Sequence, residues 1–289
     1  MVALISLSLT LLQKLRLLIL LTKPRLSLVV VFSAVMGALL AGGMDIWRII
    51  WIAVGGYGLT GSANAANQIW EKETDAIMER TRYRPLPAGL LSVGEALFFT
   101  LLLLVISLLI LSHLRWDVAL LGLGAWLLYV FAYTPLKDKG TIAVLVGAVA
   151  GALPPVIGYW AIRDEITPLL IAIFVLQLVW QFPHFWVIAW LARADYEKAR
   201  IRMLPFPPDQ LRKNSWAIGI SIMLLPALSL IFVPVLPWKM WLWLFLLSTT
   251  LGGFSLHQLN LNSHKAMRYL LFTLTIYLTL LYLGLWLIP

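Results

Sequence analysis

Apolar residues in this chain come in long runs, broken by short polar connections. Runs of roughly 20 residues, enough to cross ~30 Å of hydrocarbon, fall at 26–43, 46–66, 91–112, 116–134, 141–161, 166–190, 215–236, 238–256 and 267–288. Such runs exceed what a soluble core needs. The pattern therefore predicts an all-α polytopic membrane protein, a bundle of nine transmembrane helices. Gly and Pro mark several ends, including Ala41-Gly42-Gly43 and the stretch 205–208. Pro154, Pro155 and Pro183 lie inside runs and predict kinks, because each removes a backbone donor.

The segment ahead of the first span reads differently. It is leucine-rich but carries Lys14 and Arg16 in mid-run, whereas a signal peptide places its positive charge ahead of its apolar stretch. Residues 1–25 are therefore expected to form an N-terminal interfacial segment, leading into a nine-helix domain over 26–289.

Composition agrees with lipid as the solvent. Charged residues make up 12% of the chain and hydrophobic ones 61%, with mean hydropathy +0.90, against about 25% charged in a soluble domain. There is no cysteine, which excludes thiol nucleophiles, disulfides and thiolate metal sites. The net charge of +9 does not point to nucleic acid, since the basic residues sit in short connections between spans. With nine spans, all but Arg48, Arg115, Arg163 and Lys239 of the 22 Lys and Arg residues fall on one side. That side is expected to be cytoplasmic, which puts the N-terminus inside and the C-terminus outside, in the periplasm. The two longest connections, 67–90 and 191–214, also lie there, so chemistry is expected at that face.

Three polar clusters stand at that face. Asn67, Glu71 and Asp75 recur every four residues and stack along one side of a helix end. Their oxygens suit a hard cation such as Mg²⁺, which keeps positions open for phosphate oxygens. Arg80 and Arg84 follow in the same loop with guanidinium forks that match phosphate. A solvated helix face is the plainer alternative, but polar groups that begin inside an apolar span are costly. The second cluster holds Trp180-Gln181-Phe182-Pro183-His184-Phe185, then Asp195-Tyr196 and Met203-Leu204-Pro205. His184 and Asp195 would share a face if their helix were continuous; a buried packing histidine is the alternative. The third runs from Tyr133 through Lys137 and Lys139 into the small residues of 147–152, which suit close helix packing. Acids, a divalent cation and Arg or Lys above an apolar bundle make the chemistry of a diphosphate with an isoprenoid tail.

The spacing Asn67-x3-Glu71-x3-Asp75-x4-Arg80-Thr81-x2-Arg84-Pro85 resembles the first Asp-rich motif of UbiA-type intramembrane prenyltransferases. Within that superfamily, Thr22-Lys23-Pro24-Arg25, Tyr133-Thr134-Pro135-Leu136-Lys137, Trp180-Gln181-x-Pro183-His184-Phe185, Asp195-Tyr196 and Met203-Leu204-Pro205 are similar to the protohaem IX farnesyltransferase (haem O synthase) family. The resemblance implies farnesyl diphosphate and haem B as substrates and haem O as product. It implies Mg²⁺ as cofactor, held by Asn67, Glu71, Asp75 and Asp195 as catalytic and metal-binding residues. Arg80, Arg84, Tyr133, Lys137, Lys139 and His184 would bind substrate. It further implies a bacterial inner-membrane location and a haem A synthase or oxidase assembly partner, with membrane lipid as surroundings and no nucleic acid. The chain departs from the family pattern at Asp138, Ala194, Ala199 and in Thr141-Ile142-Ala143. Two rival readings remain open. One is a UbiA-type enzyme acting on a quinone precursor or chlorin; the other is a transporter, for which no inverted-repeat pattern is found.

Overall fold

The computed structural model describes residues 10–234, 236–261 and 263–288, so the first nine residues of the expected interfacial segment lie outside it. Every regular element among the described residues is helical. They are α1 (Leu11–Leu21), α2 (Pro24–Leu40), α3 (Ile46–Trp70), α4 (Lys72–Ile77), α5 (Val93–Leu114) and α6 (Trp116–Leu127), then α7 (Thr141–Trp160), α8 (Pro168–Leu191), α9 (Arg193–Lys198), α10 (Leu211–Ile231), α11 (Trp238–Leu261) and α12 (His264–Leu287). Helix α6 runs on through a wider π turn, Leu128–Tyr133, and a tight 3-10 turn, Pro135–Asp138.

A helix lies at each of the nine expected positions, but fewer are long and apolar enough to cross by that measure alone. Six helices are long and apolar enough to span by themselves, or seven if α1 and α2, bent by 50°, count as one span. Helices α3 and α11 are not among them. Arg48, the glycines and the polar residues of α3, and Ser248, Thr249 and Thr250 of α11, dilute their apolar content. Helix α7 continues through Pro154 and Pro155, and α8 through Pro183, so these prolines lie inside helices and do not end them.

Local chemistry explains where elements start. Thr10 and Gln13 close a capping box on α1, and Ser92 and Glu95 close another on α5. Lys14 then reaches Glu95 at 2.7 Å and ties the two helices together. The α1–α2 bend turns on Lys23, which has φ +47, followed by proline at the first helical position. The carbonyls freed by this bend are taken up from α3. Gln68 donates to the Leu21 oxygen at 2.8 Å, and Asn64 to the Thr22 oxygen at 3.3 Å. Polar residues inside an apolar span here serve the backbone of a neighbouring helix.

Two apolar cores share α2 and α7. One joins α2, α3, α5, α6 and α7 around Ile52, Leu111 and Trp126; the other joins α8 and α10 to α12 around Ile222, Leu244 and Leu274. The bundle exterior stays apolar, with Phe98, Leu109 and Phe272 each more than half exposed, as lipid requires. Where α2 crosses α7 the backbones nearly touch. A Cβ added to Gly158 would land on the Ala34 carbonyl, and one added to Gly37 on that of Pro155.

The bundle has two chemically distinct ends. At one, Arg115 grips Asp117 through bonds of 3.0 and 2.7 Å and reaches Asp164 at 3.0 Å, while the Trp160 indole donates to Asp117 at 3.0 Å. This knot ties the start of α6 to the end of α7. The other end carries the sequence-predicted chemistry.

Candidate active site

The acidic ladder survives a break in its helix. Helix α3 stops at Trp70 and α4 begins at Lys72, yet Glu71 N donates to Asn67 O at 2.9 Å and Asp75 N to Glu71 O at 2.7 Å. The four-residue repeat is kept, and the side chains stay in line. Asn67 and Asp75 are buried, with Asp75 0% exposed.

Each rung faces a basic side chain from a different segment. Lys23 Nζ donates to Asn67 Oδ1 at 3.3 Å, Lys137 Nζ to Glu71 Oε1 at 2.5 Å, and Arg84 to Asp75 Oδ2 at 2.7 Å. Asn67 also donates to the Thr134 hydroxyl at 3.2 Å. Asp75 Oδ1 is buried and has no hydrogen-bond partner among the described residues. Thr81 holds the intervening loop by donating to the Asp75 carbonyl at 2.9 Å.

The irregular end of α6 places the third cluster. A π turn widens the helix by one residue, and such turns often sit at functional sites. Here it carries Tyr133 beside Thr134 and delivers Lys137 from the 3-10 turn. Lys137 Nζ lies 4.8 Å from the Tyr133 ring centroid. Its carbonyl accepts from Arg202 N at 2.8 Å, which pins the loop after α9 over the site. Lys139 turns away to Asp138 at 3.3 Å and its side chain is 63% exposed, so the structure does not bring it to the cluster.

Asp195 joins by another route. Its helix is not continuous with that of His184, because α8 ends at Leu191 and α9 starts at Arg193. The continuous helix on which a shared face for the two residues depended is therefore not present. Asp195 instead accepts from the backbone amides of Glu79 and Arg80 at 3.1 and 3.3 Å. Lys198 adds a 2.8 Å bond to Glu79, which holds that carboxyl below its usual range. The loop carrying Arg80 and Arg84 is thus clasped by α9. Arg80 contributes its charge near Tyr196, where Lys137, Glu71 and Arg84 also act. Burial pushes the Tyr196 phenol above its ordinary value, so it stays protonated.

His184 sits deeper, stacked on Trp180 with ring centroids 4.6 Å apart, and its Nδ1 is buried without a partner. An aromatic series connects it to the charges. His184 meets Phe185 at 6.2 Å, Phe185 meets Tyr133 at 5.7 Å, and Tyr133 meets Lys137. Gly147 permits this, since a Cβ there would overlap the Tyr133 ring.

Sequence reasoning named most of this cluster but left Lys23, Thr134 and Tyr196 without roles. Each stands inside a motif that already carried the family resemblance, and that was the available signal. The expected four-residue metal set of Asn67, Glu71, Asp75 and Asp195 is not preassembled. Among the described residues no group of three or more His, Cys, Asp or Glu side chains lies together as metal ligands. The reason is that Lys137 and Arg84 occupy Glu71 and Asp75, while backbone amides occupy Asp195. The unpartnered Asp75 Oδ1 and the all-oxygen ladder do fit Mg²⁺ bound through one or two carboxylates, with diphosphate oxygens and water completing its shell.

Comparison with known proteins identifies the family. The UbiA prenyltransferase family pattern matches residues 30–281. The protoheme IX farnesyltransferase of Cytophaga hutchinsonii is 41% identical over 219 residues, covering 75% of this chain and 76% of that one. The protoheme IX farnesyltransferase of Flavobacterium johnsoniae is 34% identical over 272 residues, 90% of each chain. In three dimensions the fold is shared with a UbiA homolog from Archaeoglobus fulgidus bound to DMAPP and Mg²⁺, at 15% identity and TM-score 0.61, over 90% of this chain and 98% of that one. An all-helical bundle with a charged ladder at one end, matched by this pattern over most of its length, leads to one assignment: the chain belongs to the UbiA prenyltransferase family.

Proposed function

We propose that the chain transfers the farnesyl group of farnesyl diphosphate to a vinyl group of haem B, giving haem O for haem-copper oxidases. One observation carries the site: three oxygen-bearing rungs, each opposite a cation, stand at the mouth of an apolar bundle. The acceptor follows from the relatives that bear the farnesyltransferase name.

The chemistry then follows from charge. The C1–O bond of farnesyl diphosphate breaks, and its electron pair leaves with the diphosphate. Lys23, Arg80, Arg84 and Lys137 place positive charge where that negative charge develops. Mg²⁺, where bound by Glu71 and Asp75, supplies further charge opposite the leaving group. The allylic cation left behind needs an electron-rich and dry surface, and the face of Tyr133 offers one at the boundary between charges and bundle. Vinyl π electrons form the new bond to C1, water adds to the resulting cation, and a proton is released. His184, with a free ring nitrogen and an aromatic stack, is the side chain suited to orient the porphyrin.

The distribution of Lys and Arg supports a site on the cytoplasmic face of a bacterial inner membrane, with the C-terminus periplasmic. The 50° bend after α1 supports an interfacial role for the segment up to residue 25. A haem A synthase or an oxidase assembly factor would receive the product.

Purified protein given haem B, farnesyl diphosphate and Mg²⁺ is expected to yield haem O by mass, and a chelator should stop the reaction. Prenylation of a hydroxybenzoate or quinol precursor with haem ignored would overturn the acceptor. Neither product forming would overturn the enzyme reading.

A further inference from the structure

The ladder carboxylates that would hold a metal are the same carboxylates that neutralise the cations awaiting a diphosphate. Glu71 and Lys137 side chains are 11% and 15% exposed, and Asp75 and Arg84 are 1% and 23% exposed. Water screens such pairs poorly, and separating one leaves an uncompensated charge. A divalent cation arriving alone must compete with Lys137 or Arg84 for the charge of the carboxylate that it takes. A diphosphate arriving alone must draw the same side chains away from Glu71 and Asp75. If both arrive, each carboxylate gains a metal and each basic group gains a phosphate.

We propose that the resting site is a set of internal ion pairs that exchange partners on loading. The site therefore takes a divalent cation and a prenyl diphosphate as one unit, and binds either alone weakly. This rests on the reading of the site given above.

The placement of the partners favours exchange. Arg84 stands in the loop after α4, and Lys137 in a 3-10 turn. Each is a long side chain that can rotate without opening a helix. Asp75 Oδ1, which has no partner, is where an arriving cation can first engage. Asp195 differs, because backbone amides hold it and have no second ligand to turn to.

Linkage gives the test. The factor by which diphosphate tightens metal binding equals the factor by which metal tightens diphosphate binding. It can be measured on the full-length protein by titrating Mn²⁺, followed by its electron paramagnetic resonance, with and without saturating farnesyl thiodiphosphate. Direct contact between metal and diphosphate also raises this factor, so Lys137→Met decides. If Lys137 exchanges, its removal opens Glu71. Mn²⁺ alone then binds more tightly than to wild type, the thiodiphosphate binds more weakly, and the coupling factor falls by about tenfold, within the usual range of such couplings. If Lys137 stays on Glu71 throughout, the substitution changes Mn²⁺ affinity equally in both conditions. An unchanged coupling factor would overturn the proposal. Lys137→Arg keeps the pair and should retain wild-type coupling. Should Lys137→Met fail to fold, Arg84→Met carries the same prediction through Asp75. Wild-type protein that binds neither Mn²⁺ nor the analogue would overturn the reading of the site itself, whereas both binding with unchanged coupling in the variant overturns the exchange alone.

Discussion

Asp75→Asn is expected to lower turnover by at least about a hundredfold while the protein still inserts and purifies as a monodisperse species. Losing one group that stabilises developing charge typically costs ~2.7–4 kcal/mol of transition-state energy. Asp75 is fully buried, bonds Arg84 through one oxygen and keeps the other free. Asparagine preserves its volume and can still accept from Arg84, so the change removes charge with little change in shape. The loop should persist, because Thr81 bonds the backbone carbonyl of residue 75 and not its side chain. Arg84 loses its anion but keeps a side-chain oxygen to donate to, so it is not left without a partner. The comparison is kcat of variant and wild type at matched folded concentration. Near-normal turnover would mean that the ladder is only a solvated helix face.

Gly158→Ala should damage the fold itself, and the activity through it. The added Cβ would meet the carbonyl, carbon and Cα of Ala34, all backbone atoms that cannot swing aside. Helices α2 and α7 must then move apart. Overpacking of this kind costs ~1–3 kcal/mol when side chains can yield, and more when they cannot. A fall in thermal midpoint of roughly 5 °C or more is expected. Gly94→Ala and Gly253→Ala serve as comparisons, since nothing lies within 4 Å of either added Cβ and alanine favours a helix. Those two should match wild type or exceed it slightly. Activity should fall with Gly158→Ala as well, because α2 starts beside Lys23 and α7 follows the turn that carries Lys137. Equal melting of all three variants would show that the α2–α7 crossing has slack.

Long apolar runs were legible because lipid leaves the backbone one option, to bond within its own segment. Hence a helix stands at each expected position from α2 to α12. How many of those helices cross by apolarity alone was less legible, since α3 devotes Asn64 and Gln68 to the α1–α2 bend. The ladder was legible because four-residue spacing is a local property that outlasts the break at Glu71. What pairs with it was not. Lys23 and Asn67 are 44 residues apart, Lys137 and Glu71 are 66 apart, and Asp195 meets Glu79 across 116. Spacing along one helix says nothing of such meetings. The same limit explains His184 and Asp195, whose eleven-residue separation suggested one face until Ala192 ended the helix. It also explains Lys139, which charge alone could not distinguish from Lys137.

Prenyl diphosphate is expected to be held and split at the ladder end of the bundle. The most direct test is a structure of the protein with Mn²⁺ and farnesyl thiodiphosphate, with the metal located by its anomalous scattering. An anomalous peak is expected within coordination distance of Glu71 or Asp75, with Lys137 and Arg84 turned from those carboxylates to the diphosphate oxygens. Metal at the opposite end, beside Asp117 and Asp164, or Lys137 still bonded to Glu71 with the diphosphate bound elsewhere, would contradict this placement.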